Sequence, residues 1–373
     1  MKYWVIFFVF ISSFKSYPQQ RLLEHPHALA IVKKGLFHIY NAETHEAVGY
    51  IEQVEQLMPK HPVGPMMRAL NTNWSSNPLE IDSKEFNQLN GHLQLSLDLT
   101  KKMLQDDPKH MEGVFFAMAI NSWLAQFYDE DGSTFKALNA AKRAYHFMKL
   151  GFELMDQSPE FYFSTGLYNY YRVQYPESNP VYKPFMWFFR SGDKQLGLEQ
   201  LEEASKIATF TKAEAAMYLA HLNLRYEQKP KVAVKFSGQL VKQYPNNIFF
   251  KINFTEALLA AGYYQQAYTI IQNLLQQKKT FYRMSGEIFY GLYLEQFEKN
   301  PGKALIWYTK SLDTGKDLGP RADNKKSLAH VGIARINHAG GDHHQARDHY
   351  KQALKLAQYD TIKDQAKAYL RNN

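Results

Sequence analysis

Cysteine is absent from all 373 residues. Disulfides, Cys-ligated metal, a thiol nucleophile and lipidation at an N-terminal Cys are therefore all excluded, so the chain is not a lipoprotein. Long apolar runs are also missing: beyond the first residues, no segment reaches the roughly 20 apolar residues that a membrane-spanning helix needs. Charge is scattered. Lys and Arg total 44 against 36 Asp and Glu, giving +8 (+6 once Lys2 and Lys15 are set aside), and no block of five like charges occurs. No nucleic-acid partner is expected from such a distribution. There is no Gly-rich phosphate loop, Gly-x-Ser-x-Gly elbow or His-Glu-x-x-His motif. Glu202 and Glu203 fall on adjacent helix directions, not across a cleft as paired acid-base carboxylates would. No catalytic residue, cofactor or enzymatic activity is expected.

What is present begins with a leader. Met1-Lys2 precedes the apolar run Tyr3–Ile11 and the small polar residues Ser12, Ser13 and Ser16, which fits a signal peptide over 1–16. An uncleaved anchor is the alternative. Either reading makes this an exported chain, periplasmic or secreted, with envelope association open.

Apolar residues at three- and four-residue spacing then run almost to the end. Residues 28–160 read as helical hairpins, with Ala47 in a small-residue slot of the first and a polar loop over 71–82. Residues 211–358 hold the most regular text. Ala233 and Ala267 lie 34 residues apart, each preceded by a turn and followed by apolar residues at helical spacing; Ala304 and Ala346 continue the series with longer linkers. A helix-turn-helix unit of about 34 residues is the tetratricopeptide repeat (TPR) signature. The expected fold is all-α: a right-handed α-solenoid of TPR-like hairpins, closed by a polar capping helix over 361–373.

One repeat, 161–210, is split. Its first helix, Phe161 to Tyr171, is separated from its second by a Pro- and aromatic-rich insertion over 175–192, in which Phe185-Met186-Trp187-Phe188-Phe189 is the most apolar patch. The helix that follows opens with Gly192-Asp193-Lys194-Gln195-Leu196-Gly197-Leu198-Glu199-Gln200-Leu201. This split repeat resembles the inclusion-body-clearance TPR proteins of eukaryotes, which include a mitochondrial outer-membrane-associated member and share a Gly-Asp-x-x-x-Gly-Leu-x-x-Leu run. The resemblance covers some 40 residues. It implies the repeat fold and an adaptor character.

Two features invite a metal reading. Asp129-Glu130-Asp131-Gly132 is acidic, but Phe135-Lys136-Ala137 follow where an EF-hand loop needs ligands. His343, His344 and His349 lack the i, i+4 spacing of helical ligands. Solvated turns are expected at both, and no metal.

Binding has the stronger physical case. In a TPR stack the first helix of each hairpin lines a concave groove. Counting from the small-residue slots places Tyr218, Leu222, Arg225 and Tyr226 on that face, then Phe249, Ile252 and Glu256, then Phe289, Tyr293 and Gln296, then Val331, Arg335 and His338. Aromatics beside Arg are residue types that dominate interface energies. The expected partner is a protein or peptide segment. A glycan or small ligand is the alternative, since aromatics also stack on sugars. A third reading is peripheral membrane contact through Tyr182, Phe185, Trp187 and Phe188, with Lys183, Arg190 and Lys194 near the headgroups. The insertion either plugs the groove or extends it.

Overall fold

The computed structural model describes residues 21–372 apart from Asp82 and Asn179, and only the backbone at Tyr182, Phe185 and Phe188. The leader lies outside the described residues. Seventeen α-helices and four short 3-10 segments make up the fold, with no strand among the described residues.

The helices come as antiparallel hairpins. The first three pairs are α1 (Pro26–Tyr40) with α2 (Thr44–Leu57), α3 (Val63–Ser75) with α4 (Lys84–Asp106), and α5 (Met111–Glu130) with α6 (Thr134–Leu154). The split repeat supplies α7 (Glu160–Ser178) and α8 (Lys194–Ile207). Then come α9 (Lys212–Arg225) with α10 (Pro230–Gln243) and α11 (Ile248–Ala260) with α12 (Tyr264–Leu275). The last pairs are α13 (Thr280–Gln296) with α14 (Pro301–Thr314) and α15 (Asp323–Ala339) with α16 (His343–Leu356), capped by α17 (Asp360–Asn372). The protein is an all-α solenoid of TPR-like hairpins.

Local chemistry sets these boundaries. Asp193, Asn247, Asn300 and Asp342 cap α8, α11, α14 and α16 by accepting a backbone N–H three residues on. Pro230 and Pro301 open α10 and α14, where no N–H is needed. The turns inside the α11–α12 and α15–α16 hairpins use Gly262 (φ +79°) and Gly341 (φ +85°), in the left-handed region where a side chain is strained. Ala47, Ala233, Ala267, Ala304 and Ala346, all in second helices, are fully buried, because the hairpin partner approaches too closely there for a longer side chain.

Two stretches depart from expectation. The polar loop expected over 71–82 begins later, because α3 continues to Ser75. Its inner face (Met66, Met67, Ala69, Leu70) is buried, so packing holds Asn71 and Asn73 in a helix that their local preference disfavours. Likewise α7 runs through Pro176 to Ser178 before the insertion turns as a 3-10 segment, Pro180–Phe188. The two halves of the split repeat still meet. A Cβ on Gly166 would lie 2.9 Å from the Gly197 carbonyl oxygen, and one on Gly197 would lie 2.7 Å from that of Gly166, so α7 and α8 cross backbone to backbone.

The stack then coils until its N-terminal hairpins meet its middle. The Tyr40 hydroxyl donates to Glu214 at the start of α9, and Asn247 Nδ2 donates to the Tyr40 carbonyl over 2.7 Å. The Asn246 N–H reaches Asn41 Oδ1 at 3.0 Å, and Lys279 Nζ reaches the Ser75 carbonyl at 2.9 Å. Trp74 packs edge-on against Phe250 at 5.1 Å. Further along, Arg321 pairs with Glu130 of α5 at 2.6 Å. One hydrophobic cluster accordingly runs from Leu22 to Phe250 across both parts.

Candidate functional site

Because the superhelix coils back on itself, its concave side narrows to a chamber that stays partly open to solvent. A cavity of about 560 Å³ lies at its centre, walled mainly by the first helices of successive hairpins. From α9 come Tyr218, His221, Arg225 and, just past its end, Tyr226; from α11 come Phe249, Asn253 and Glu256; α7 adds Tyr171 and α13 adds Phe281. Arg321, Lys325 of α15 and Tyr359 in the α16–α17 turn close the wall from the C-terminal side. On α9 the inward stripe is i, i+3, i+7 (218, 221, 225), and on α11 it is i, i+4, i+7 (249, 253, 256).

The charged centre is a buried triad. Glu256 accepts from Arg225 Nη2 at 2.6 Å through one oxygen and from Lys325 Nζ through the other. Burial alone would raise the Glu256 carboxyl, but Arg225 and Lys325 outweigh it and hold it at about 2. Burial lowers the Lys325 ammonium, opposed by Glu256. The Arg225 guanidinium also lies over the Tyr359 ring, 4.9 Å from its centroid. His221, edge-on to Tyr359 at 5.1 Å, is pushed down to about 4, first by burial and then by the Arg225 charge. It is a neutral imidazole at physiological pH.

Four phenols, Tyr171, Tyr218, Tyr226 and Tyr359, converge on this space, and none of their hydroxyls has a hydrogen-bond partner among the described residues. Burial raises the pKa of each, so all four stay protonated and available as donors. The surface thus combines aromatic faces, free hydroxyls and two cations sharing one carboxylate. The Ser237 hydroxyl at the rim is occupied by the Ala233 carbonyl, and Glu256 is locked between cations, so neither forms a nucleophile-base pair.

Of the residues expected to line the groove, Tyr218, Arg225, Tyr226, Phe249 and Glu256 do line the cavity. Leu222, Ile252, Phe289 and Val331 do not. Each is essentially fully buried, because the first helix of a hairpin turns two faces to neighbouring helices and only a narrow third inward. Tyr293 is also in the core, packed 4.9 Å from the Tyr268 ring, and Arg335 is bound to Glu295 at 2.7 Å and 2.8 Å, away from the cavity. His221 and Asn253 were missed although the helical count from Tyr218 and Phe249 reaches them. Tyr171, Arg321 and Tyr359 had no such signal, since only the coiling of the whole stack brings them in. Lys325 reads from sequence as a surface lysine.

None of the insertion's described side chains is among the cavity residues. Trp187 stands on the outer surface, and the side chains of Tyr182, Phe185 and Phe188 lie outside the described residues. The C-terminal histidines do not converge either. His343 faces His338, His344 lies near Asp348, and His349 Nδ1 meets His330 Nδ1 at 2.9 Å.

These features define an all-α, TPR-like repeat protein coiled around a polar-aromatic cavity. No protein-family model and no curated protein matches the chain. Among solved structures it is similar to human IFIT1 in a dimer with PPP-AAAA, at 15% identity and a TM-score of 0.40, over 85% of this chain and 69% of that one. It is also similar to yeast Tom70 (12% identity, TM-score 0.31, covering 94% and 96%). A third is the P58(IPK) TPR domain (14%, 0.27, covering 93% and 99%). At such identities the likeness concerns fold alone.

Proposed function

We propose that this chain is an exported scaffold without enzymatic activity that holds a short peptide segment of a partner protein in the central cavity. The observation that carries the reading is the set of four unpartnered phenol hydroxyls facing Arg225 and Lys325 in one chamber. An extended peptide offers backbone carbonyls to such donors, apolar side chains to the rings, and an acidic side chain to the surplus positive charge. A volume near 560 Å³ sits within the roughly 300–1,000 Å³ of ligand pockets and admits a segment, not a folded domain. The leader supports export, and mass spectrometry of the native N-terminus checks that part separately.

The test is co-purification from envelope fractions with wild type and with Tyr218→Ala/Tyr359→Ala, both confirmed folded by thermal melting. Loss of specific partners from the variant is expected. Recovery of the same partners by both proteins removes the cavity from the mechanism. The aromatic lining also suits a small glycan as the second reading, and thermal stabilisation by oligosaccharides but not by peptides would replace the peptide assignment with it.

A further inference from the structure

The insertion between α7 and α8 is anchored to the body but turned outward. The Tyr168 hydroxyl donates to the Arg190 carbonyl at 2.7 Å, and Arg172 Nη2 donates to the Met186 carbonyl. The Phe189 ring packs edge-on against Tyr145 of α6 at 5.3 Å, and the Arg190 guanidinium lies 4.3 Å from the Phe152 centroid. Gly192 lets the returning strand of chain pass Asn169 so closely that a Cβ would lie 2.6 Å from its carbonyl oxygen. So held, the segment leaves Trp187 74% exposed, Val181 71%, Tyr175 48% and Phe189 40%. Large apolar side chains gathered on one protrusion are costly in water unless something covers them.

The charge around the patch says what covers it. Lys149 of α6, whose ammonium lies 5.5 Å from the centroid of the Tyr145 ring that meets Phe189, is exposed, as are Lys183 and Arg190 of the insertion. The nearby carboxylates are mostly engaged: Glu153 by Lys109 at 2.8 Å, Glu177 by Lys194 at 2.5 Å, and Asp193 as the cap of α8. Asp156 offsets part of the remainder. The patch is therefore an exposed apolar, Trp-bearing knob flanked by basic side chains, and none of its described residues lines the cavity. A partner protein would need a matching pocket, whereas a bilayer interface accepts Trp and short apolar side chains without shape complementarity, and its phosphates match the rim. No described helix is long and apolar enough to cross a membrane, so contact would be peripheral.

We propose that this insertion is a membrane-contact element that seats Val181, Trp187 and Phe189 in the interfacial layer of an anionic bilayer, with Lys149, Lys183 and Arg190 against lipid phosphates. The contact is independent of the cavity and carries the chamber to the membrane surface.

The experiment is flotation of the full chain with vesicles of phosphatidylcholine alone or mixed with phosphatidylglycerol. Wild type floats with the anionic vesicles and releases at high salt. Val181→Ser/Trp187→Ser loses apolar contact, and Lys149→Glu/Lys183→Glu loses charge; each lowers binding at least about tenfold. Both alter exposed positions, and unchanged melting curves confirm the fold. The cavity variant Tyr218→Ala floats like wild type. Absence of flotation by wild type, or flotation insensitive to both double variants, overturns the proposal. So does concentration-dependent self-association of wild type that Val181→Ser/Trp187→Ser abolishes, because the knob would then be a protein interface.

Discussion

Two cations reach the cavity wall through one carboxylate, and Glu256 is 7% exposed between them. Removing it leaves Arg225 and Lys325 buried without a counter-charge, so Glu256→Gln should cost about 3–5 kcal/mol in urea unfolding. Its folded pKa, about 2, lies below the ordinary 4.5. The stabilisation is therefore complete above about pH 4.5 and is lost as pH falls toward 2, and the variant should lose that acid-limb dependence. Two glycines give a contrast in packing. A Cβ on Gly197 would meet the α7 backbone at two atoms, each 2.7 Å away, so Gly197→Ala should destabilise by about 1–3 kcal/mol. Nothing lies within 4 Å of a Cβ on Gly49 inside α2, so Gly49→Ala should stabilise by about 0.5–1 kcal/mol through helix propensity. Thermal melts of the two variants should move in opposite directions.

At the scale of elements, three first helices place a Glu in their first turn, where the helix dipole favours a carboxylate. Glu112 accepts the Leu22 and Leu23 N–H groups and His61 Nε2, and Glu160 accepts the Thr209 and Phe210 N–H groups. Glu214 differs, because Oε1 takes the Tyr40 hydroxyl while Oε2 is buried without a partner among the described residues. Burial lifts its carboxyl to about 7, with the Glu160 charge adding to the rise against the Tyr40 bond. A folded pKa above the unfolded 4.5 means the native state holds the proton more tightly. Stability should then fall as pH rises from about 4.5 to 7, at up to about 1.4 kcal/mol per pH unit. Glu214→Gln should flatten that window, read by urea titrations at pH 5, 6, 7 and 8. The repeat spacing and the alanine slots were legible in the sequence because each is set within one hairpin. Extension of α3 past Asn71 was not, because burial of Met66, Met67 and Leu70 overrides local preference. The inward stripe was half legible: the helical count reaches Tyr218 and Arg225, but choosing between Tyr218 and Leu222 needs the positions of the neighbouring helices.

At the scale of the molecule, closure turns a groove into a chamber, and it rests on contacts between residues about 200 apart, such as Asn41 with Asn246 and Asn77 with Tyr282. No periodicity in a repeat sequence encodes such pairs, since each hairpin is specified against its neighbours only. The polar closing contacts are individually modest: a net hydrogen bond contributes about 0.5–1.5 kcal/mol, and the exposed Arg321–Glu130 pair about 0–1, while the buried rings of Tyr40 and Phe250 add apolar contact across the same seam. Opening must also separate the Tyr40–Tyr244 and Trp74–Phe250 ring contacts, and on the function proposed above it is the step by which a segment would enter the cavity. Asn246→Ala removes the bond its Nδ2 donates to Glu43 Oε1 at 3.0 Å, and combined with Arg321→Ala it should weaken closure by about 1–2 kcal/mol, a roughly 5- to 30-fold gain in the open population. The hairpin cores are untouched, so the melting temperature should barely move. The chain has no cysteine, so Ser75→Cys and Lys278→Cys can carry spin labels across the seam without background. A short, narrow distance distribution in the parent should broaden toward longer distances in the double variant, and peptide association should accelerate with it. A distribution that stays narrow while association accelerates would place the entry route elsewhere on the chamber wall.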